Sequence, residues 1–316
     1  MPLGEGGASF DHPSIVVDHT SGPSSGTIYA IATQSFRPKT EETKYHYHPI
    51  ILSHSTDQGR TFSDPTLINP TNLGHQAGIP VVLSDGTVAL TLYDFAPWTH
   101  SRLLETRRIW AVTSSDGGRT TSLPALVAEI SNDPQFPTLA VDPAPASPFR
   151  DRLYSVWTRF ESAPRGISLV SSHDRGRTWS NPVRVNDDVR EETEYRIPAV
   201  TVNNKGVLGV AWYDTRRGTT NTCFDVFFAA SLDGGESFLP NVRVSDTQSC
   251  SDSDVPGNTV GGTNAARLWP SGGHYFGLTA DTDGVFHALW ADSRTGVYQL
   301  WTATIKINGE VKTVEN

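Results

Sequence analysis

The chain has 316 residues, of which 37% are hydrophobic and 19% charged, and carries a formal net charge of −9. That balance fits a soluble globular protein and argues against a general nucleic-acid binder, which needs a basic surface to neutralise phosphates. No apolar run is long enough for a transmembrane helix, and Met1-Pro2-Leu3-Gly4-Glu5 has neither the basic start nor the apolar core of a signal peptide.

In chain order the sequence reads as short strands. Strands that carry or follow a proline recur as Pro13-Ser14-Ile15-Val16-Val17, Pro80-Val81-Val82-Leu83, Pro137-Thr138-Leu139-Ala140-Val141 and Pro198-Ala199-Val200-Thr201-Val202. Turn signals such as Ser84-Asp85-Gly86 and Asn204-Lys205-Gly206 follow them. The next strand of each unit is the most apolar: Ile28 to Ala32, Val88 to Leu92, Leu153 to Trp157, and Val207 to Trp212. A third strand, such as Asp225 to Ala230, runs into a recurring turn, and a fourth, such as Val242-Arg243-Val244, leaves it. A last unit has strands at Phe276 to Ala280, Val285 to Trp290 and Gln299 to Ile305. Asn308-Gly309 then signals a plain hairpin into a fourth strand at 310–314.

The recurring turn is Ser-x-Asp-x-Gly-x-Thr/Ser-aromatic. Its fullest copy is Ser172-His173-Asp174-Arg175-Gly176-Arg177-Thr178-Trp179. The aspartates stand at Asp57, Asp116, Asp174 and Asp233, in steps of 59, 58 and 59, and Thr121 is the one departure from the closing aromatic. So regular a period means a repeated structural unit. Glycine permits a positive φ, and the carboxylate accepts bonds from nearby backbone N–H groups, so these four aspartates are expected to be structural. The fold expected is an all-β propeller of four-stranded blades. Five blades are visible, at roughly 11–70, 75–130, 133–188, 194–246 and 272–315, with an insertion at 247–271.

The turn is similar to the Asp-box (BNR) repeat of the sialidase and neuraminidase superfamily, and the similarity covers about four fifths of the chain. The resemblance implies a six-bladed ring as the alternative architecture, and a carbohydrate-active protein, a glycoside hydrolase above all. It also implies a glycan partner, an acidic sugar such as sialic acid among them, and a secreted or periplasmic location. A non-catalytic glycan-binding propeller and a protein-interaction platform are the alternatives.

In a propeller the first-strand starts and second-strand ends share the face opposite the Asp turns, where sites form in loops on a rigid scaffold. That face carries Asp11, His12, Gln76, Asp94, Arg159, Glu194, Tyr195, Arg196 and Tyr275. It also carries two copies of Trp-x-Asp-x-Arg, at Trp212/Asp214/Arg216 and Trp290/Asp292/Arg294. Asp and Arg in such a pattern either pair to order their loop or meet a ligand. Tyr195-Arg196-Ile197-Pro198 resembles the Phe/Tyr-Arg-Ile-Pro motif of sialidases, but it follows the third Asp turn, whereas the family's precedes the first. The resemblance implies that Arg196 forks onto a substrate carboxylate. It casts Tyr275 as nucleophile, Glu194 as its activator, and Asp214 or Asp94 as the acid. Arg159, Arg216, Arg267, Arg294 and Asp292 are the further substrate-binding candidates. Trp98, Trp157, Trp212, Trp269 and Trp290 are either sugar platforms or blade packing.

No metal site is assigned. His46 and His48 alternate as a strand entrance would, and Asp246, Asp252 and Asp254 around Cys250 offer oxygens of the kind Ca²⁺ takes, without EF-hand spacing. No cofactor is expected. Cys223 and Cys250 are expected to form a disulfide.

Overall fold

The computed structural model describes residues 8–36, 48–68, 74–95, 106–130, 137–159, 165–218, 222–250, 259–260, 263–264 and 275–309. Arg267, His46, Asp252, Asp254, Trp98, Trp269 and the strand expected at 310–314 lie outside these residues. The described residues are all strand and turn. Blade 1 is β1 (Ala8–Val17), β2 (Ile28–Phe36), β3 (Ile50–Ser55) and β4 (Thr66–Ile68). Blade 2 is β5 (Gly74–Val82), β6 (Val88–Phe95), β7 (Arg107–Ser114) and β8 (Ala125–Ile130). Blade 3 is β9 (Thr138–Val141), β10 (Leu153–Arg159), β11 (Gly166–Ser172) and β12 (Val183–Arg184). Blade 4 is β13 (Tyr195–Val202), β14 (Leu208–Asp214), β15 (Cys223–Ser231) and β16 (Val242–Arg243). Next come β17 (Ser249–Cys250), which pairs with β15, and a small ribbon of β18 (Thr259–Val260) and β19 (Thr263–Asn264). Blade 5 is β20 (Gly277–Ala280), β21 (Phe286–Asp292) and β22 (Gln299–Ile305). Neighbouring strands pair in chain order within each blade, which makes five small antiparallel sheets of a β-propeller.

The chain divides into two compact units. One is Met1–Asp133 with Ser172–Ser180, and the other Pro134–Ser171 with Asn181–Asn316. In the first, Tyr29, Ile31, Ile50, Leu52, Val88, Leu90 and Leu92 form a core between blades 1 and 2. In the second, Tyr154, Leu169, Val210 and Trp212 pack in one cluster, and Phe228, Phe286 and Trp290 in another. The inner strands of blades 3 and 4 (β10, β11, β14 and β15) are buried almost throughout, as strands packed on both faces must be.

The Asp turns are built as their sequence requires. In each, the serine hydroxyl donates to the aspartate Oδ1 and accepts from the glycine N–H four residues after the serine. The carboxylate then takes the backbone N–H and the hydroxyl of the closing Thr or Ser, as with Thr178 N at 2.9 Å and Thr178 Oγ1 at 2.6 Å on Asp174. Two successive residues adopt positive φ, 63° at Arg175 and 83° at Gly176, which explains the invariable glycine at the second of them. Thr61 bonds hold the Asp57 carboxyl down at about 2, and Thr120 bonds do the same for Asp116 against a little burial. The closing aromatics differ. Phe238 packs on the core and Trp179 donates Nε1 to Gly176 O at 3.2 Å, whereas Phe62 is 48% exposed.

Cys223 and Cys250 are bonded, directly opposite each other across β15 and β17. This pairing ties the connection after blade 4 back to its third strand.

Candidate functional site

The first strands start with a shared irregularity. A bulge interrupts the ladder between Asp11 and Ser14 in β1, Ala77 and Pro80 in β5, and Arg196 and Ala199 in β13. At two of the three the residue before proline takes φ +49°, His12 and Ile197. Proline denies that residue the helical region, and a β-branched side chain at positive φ is strained. Bulges re-aim the side chains beside them, and at Ile197 the residue so placed is Arg196.

The second strands end in a repeated device. In blade 4, Trp212 Nε1 donates to Asp214 Oδ2 at 2.8 Å, and Arg216 bonds the same carboxylate through its backbone N at 2.8 Å and its Nε at 2.9 Å. In blade 5, Trp290 Nε1 meets Asp292 Oδ2 at 3.1 Å, and Arg294 N and Nε follow at 2.8 and 2.9 Å. Each guanidinium lies over the ring paired with that tryptophan: Arg216 over Phe227 at 4.1 Å and Arg294 over Trp301 at 4.2 Å. Each also reaches an aspartate just past the fourth strand of the preceding blade, Asp187 for Arg216 and Asp246 for Arg294. Burial works against the charge on Arg216, but its bonds to Asp214 and Asp187 outweigh this and raise its pKa. Asp94, in blade 2, is completely buried and accepts from Trp110 Nε1 at 3.0 Å and Arg108 N at 3.1 Å, with His75 Nε2 at 3.4 Å.

This geometry separates residues that the sequence placed together. Asp94, Asp214 and Asp292 are at most 1% exposed, their oxygens turned to tryptophan, arginine or backbone, and Arg216 and Arg294 are closed over them. Of Arg196, Asp214, Tyr275, Asp292 and Arg294, expected on one face, Asp214 and Asp292 are therefore buried carboxylates and Arg294 a buried guanidinium. Trp157, Trp212 and Trp290 are likewise buried, so they are packing residues and not sugar platforms. Tyr275 is 72% exposed. Among the described residues no group of His, Cys, Asp and Glu has the arrangement of a metal site.

Blade 3 departs from the device. Where β14 and β21 end in aspartate and β6 carries one next to its last residue, β10 ends in Arg159. Trp157 Nε1, which the aspartate would accept, is buried with no partner. The 59-residue step sets Gly166 against Asp225, the buried carboxylate that holds Arg243 in blade 4. A Cβ at Gly166 would meet Asn186 Oδ1 at 2.6 Å and Arg184 Nη2 at 3.2 Å, so the glycine admits the Arg184 side chain. Arg184 bonds the carbonyls of Asp188 and Arg165. Burial and the nearby Arg159 lower its pKa.

Arg196 closes the group. Its Nε donates to Glu194 Oε2 at 3.2 Å and its Nη2 to the same oxygen, while Arg165 Nη1 lies 3.8 Å from Glu194 Oε1. Arg196 and Arg165 thus share the Glu194 carboxylate, Arg184 lies near Arg159 and Asp188, and both members of the Arg196–Glu194 pair are partly exposed. Sequence reading named Arg159, Glu194 and Arg196. It missed Arg165 and Arg184, although comparison of Val183-Arg184-Val185 with Val242-Arg243-Val244 would have exposed the lost aspartate.

No protein-family model matches the chain, and no curated protein matches it. Solved structures do. An α-L-arabinofuranosidase from Fusarium graminearum, in complex with an iminosugar inhibitor, aligns with TM-score 0.57 at 13% identity over 94% of this chain and 93% of that one. A Penicillium chrysogenum α-L-arabinanase complexed with arabinobiose gives 0.57 at 15% identity, over 88% and 74%. The NanB sialidase of Streptococcus pneumoniae gives 0.56 at 12% identity, over 96% of this chain and 56% of the sialidase. At these identities the likeness shows the fold, a five-bladed all-β propeller.

Proposed function

We propose that this protein is a glycoside hydrolase acting on a glycan that bears a carboxylate, and that Arg196 and Arg165, the arginines on Glu194, hold that group. The observation that carries the reading is the pair of arginines on Glu194, Arg196 and Arg165, next to a blade in which Arg159 and Gly166 stand where blade 4 carries Asp214 and Asp225. Cations collected beside one acid are out of keeping with a net charge of −9 and with the Asp–Arg pairing of blades 4 and 5. The Glu194 carboxylate stands on the Arg196 guanidinium as a sugar carboxylate would. A ligand taking its place would gain the planar fork and release Glu194 to accept a proton. Tyr275, exposed at the start of blade 5, is the proposed nucleophile, as the sialidase resemblance implies. Glycosidases among the structural neighbours, and the sugars and inhibitors bound to them, support the glycan reading. The Cys223–Cys250 bond supports an oxidising compartment, secreted or periplasmic.

The second reading, a glycan-binding propeller without catalysis, is favoured by one observation. Asp94, Asp214 and Asp292 are buried and bonded to tryptophan, arginine or backbone, so none of them is open to act as the acid. Hydrolysis assays on sialosides, arabinosides and neutral glycosides decide between the readings. Turnover of a carboxylate-bearing glycoside, lost in Arg196→Ala and partly kept in Arg196→Lys, is the expected result. Binding without turnover leaves the lectin, and turnover of neutral sugars unaffected by Arg196→Ala removes the carboxylate site.

A further inference from the structure

The second Asp turn lacks its aromatic, and a cleft of 630 Å³ lies beside it in the first unit. Thr121 stands where the other turns carry Phe62, Trp179 and Phe238. The walls come from blade 2, with Thr113, Ser115, Thr121 and Leu123, and from the turn at 172–180, with Arg175 and Arg177. The cleft is at the opposite end of the blade-2 sheet from Asp94. In that sheet Val88 pairs with Ser114 at the turn end, and Tyr93 with Ile109 at the other.

The chemistry of the lining is specific. The hydroxyls of Thr113, Ser115 and Thr121 make no side-chain hydrogen bond among the described residues, unlike Ser114 and Thr120, whose hydroxyls are spent on Asp116. Arg177 is exposed, and its guanidinium also has no partner there. Arg175 is positioned by Asp85, 2.7 Å from its Nη1. Leu123, 90% exposed, adds an apolar wall. A concave site with uncommitted hydroxyls, an apolar side and a forked cation fits a sugar ring with an anionic substituent. The hydroxyls match ring hydroxyls, Leu123 its C–H face, and Arg177 the anion.

We propose that this cleft is a second saccharide site, for a sugar carrying a carboxylate or a sulfate, lined by Arg175 and Arg177 and by none of the arginines of the proposed hydrolase site. It binds and does not hydrolyse, since no carboxylate lines it among the described residues. Its existence is independent of the hydrolase reading.

The test is calorimetric titration of the full chain in the Arg196→Ala background, which disables the proposed hydrolase site. The probes are glucuronic acid and a sulfated N-acetylglucosamine, with glucose as the neutral control. At least one anionic sugar should bind and glucose should not, and the preferred anion identifies the group recognised. Arg177→Ala should weaken binding about tenfold, the loss of a forked charge pair. Thr121→Phe, which restores the ring that the other turns carry, should abolish it, and Thr121→Ser should retain it, with melting temperatures unchanged. Absence of binding by either anion, equal binding of glucose, or wild-type affinity in Thr121→Phe would each overturn the proposal.

Discussion

The strand-end device and its absence in blade 3 make opposite predictions for two substitutions. Asp214→Ala removes the acceptor of Trp212 Nε1 and one of the two carboxylates on Arg216, in a place with no solvent access. Breaking a buried ion pair costs about 3–5 kcal/mol. Arg216 keeps Asp187 and Asn241 at the rim, so the lower end applies, about 3 kcal/mol. For a domain of this size that lowers Tm by roughly 4–5 °C. Arg159→Asp is the reverse experiment, since it supplies the carboxylate that Trp157 lacks. A buried N–H without a partner costs about 1–3 kcal/mol, and the arginine's own contacts are given up, so a net gain of about 1 kcal/mol is expected. The new aspartate also finds Arg184 nearby. Scanning calorimetry reads both variants. Arg159→Asp should melt slightly higher than wild type. A variant that melts as low as Asp214→Ala, or an Asp214→Ala protein as stable as wild type, would refute the reasoning that the aspartates are structural and Arg159 is not.

Asp174→Ala should lower stability by about 1–2 kcal/mol, measured by urea unfolding, because the freed N–H groups of Arg177 and Thr178 are exposed and water partly replaces the bonds. Replacing Cys223 and Cys250 by serine should cost about 3 kcal/mol, since the bond closes a separation of 27 residues; an unchanged urea midpoint would contradict this. Asp57 and Asp116 have folded pKa values of about 2, below the ordinary 3.8. Their contribution is therefore full above the unfolded pKa and is lost as pH falls through the folded one. The unfolding midpoint should drop between about pH 4 and 2, and the double Asn variant should flatten that slope.

The periodic parts of the fold were legible because the repeat is local. Ser172, Asp174, Gly176 and Thr178 bond within one turn, and their spacing alone states the geometry. The pairing of Asp214 with Arg216, and of Asp292 with Arg294, also lies within five residues and was readable as a loop-ordering pair. What the sequence hid was burial. Whether Asp214 faces a cleft or a tryptophan depends on the register of β14 against β15, and on Asp187 arriving from the blade before. Arg165 and Arg184 were missed for the same reason. Arg165 meets Glu194, and Arg184 approaches Arg159, only through residues distant in sequence, and Gly166 signals its absent carboxylate only when blade 3 is laid over blade 4.

The arginines at 216 and 294 each draw one acceptor from their own blade and one from the blade before. Blades 3, 4 and 5 are therefore linked in one direction, like tiles whose clip and socket sit on opposite edges. A cut after Asp187 would leave blade 4 with a buried cation missing half its neutralising charge, whereas blade 3 would lose only an exposed acid's partner. Fragments that begin at a blade boundary should consequently be less stable than fragments that end at one. An extra blade inserted between 187 and 194 should be tolerated only if it brings both an arginine at its second-strand end and an aspartate past its fourth strand.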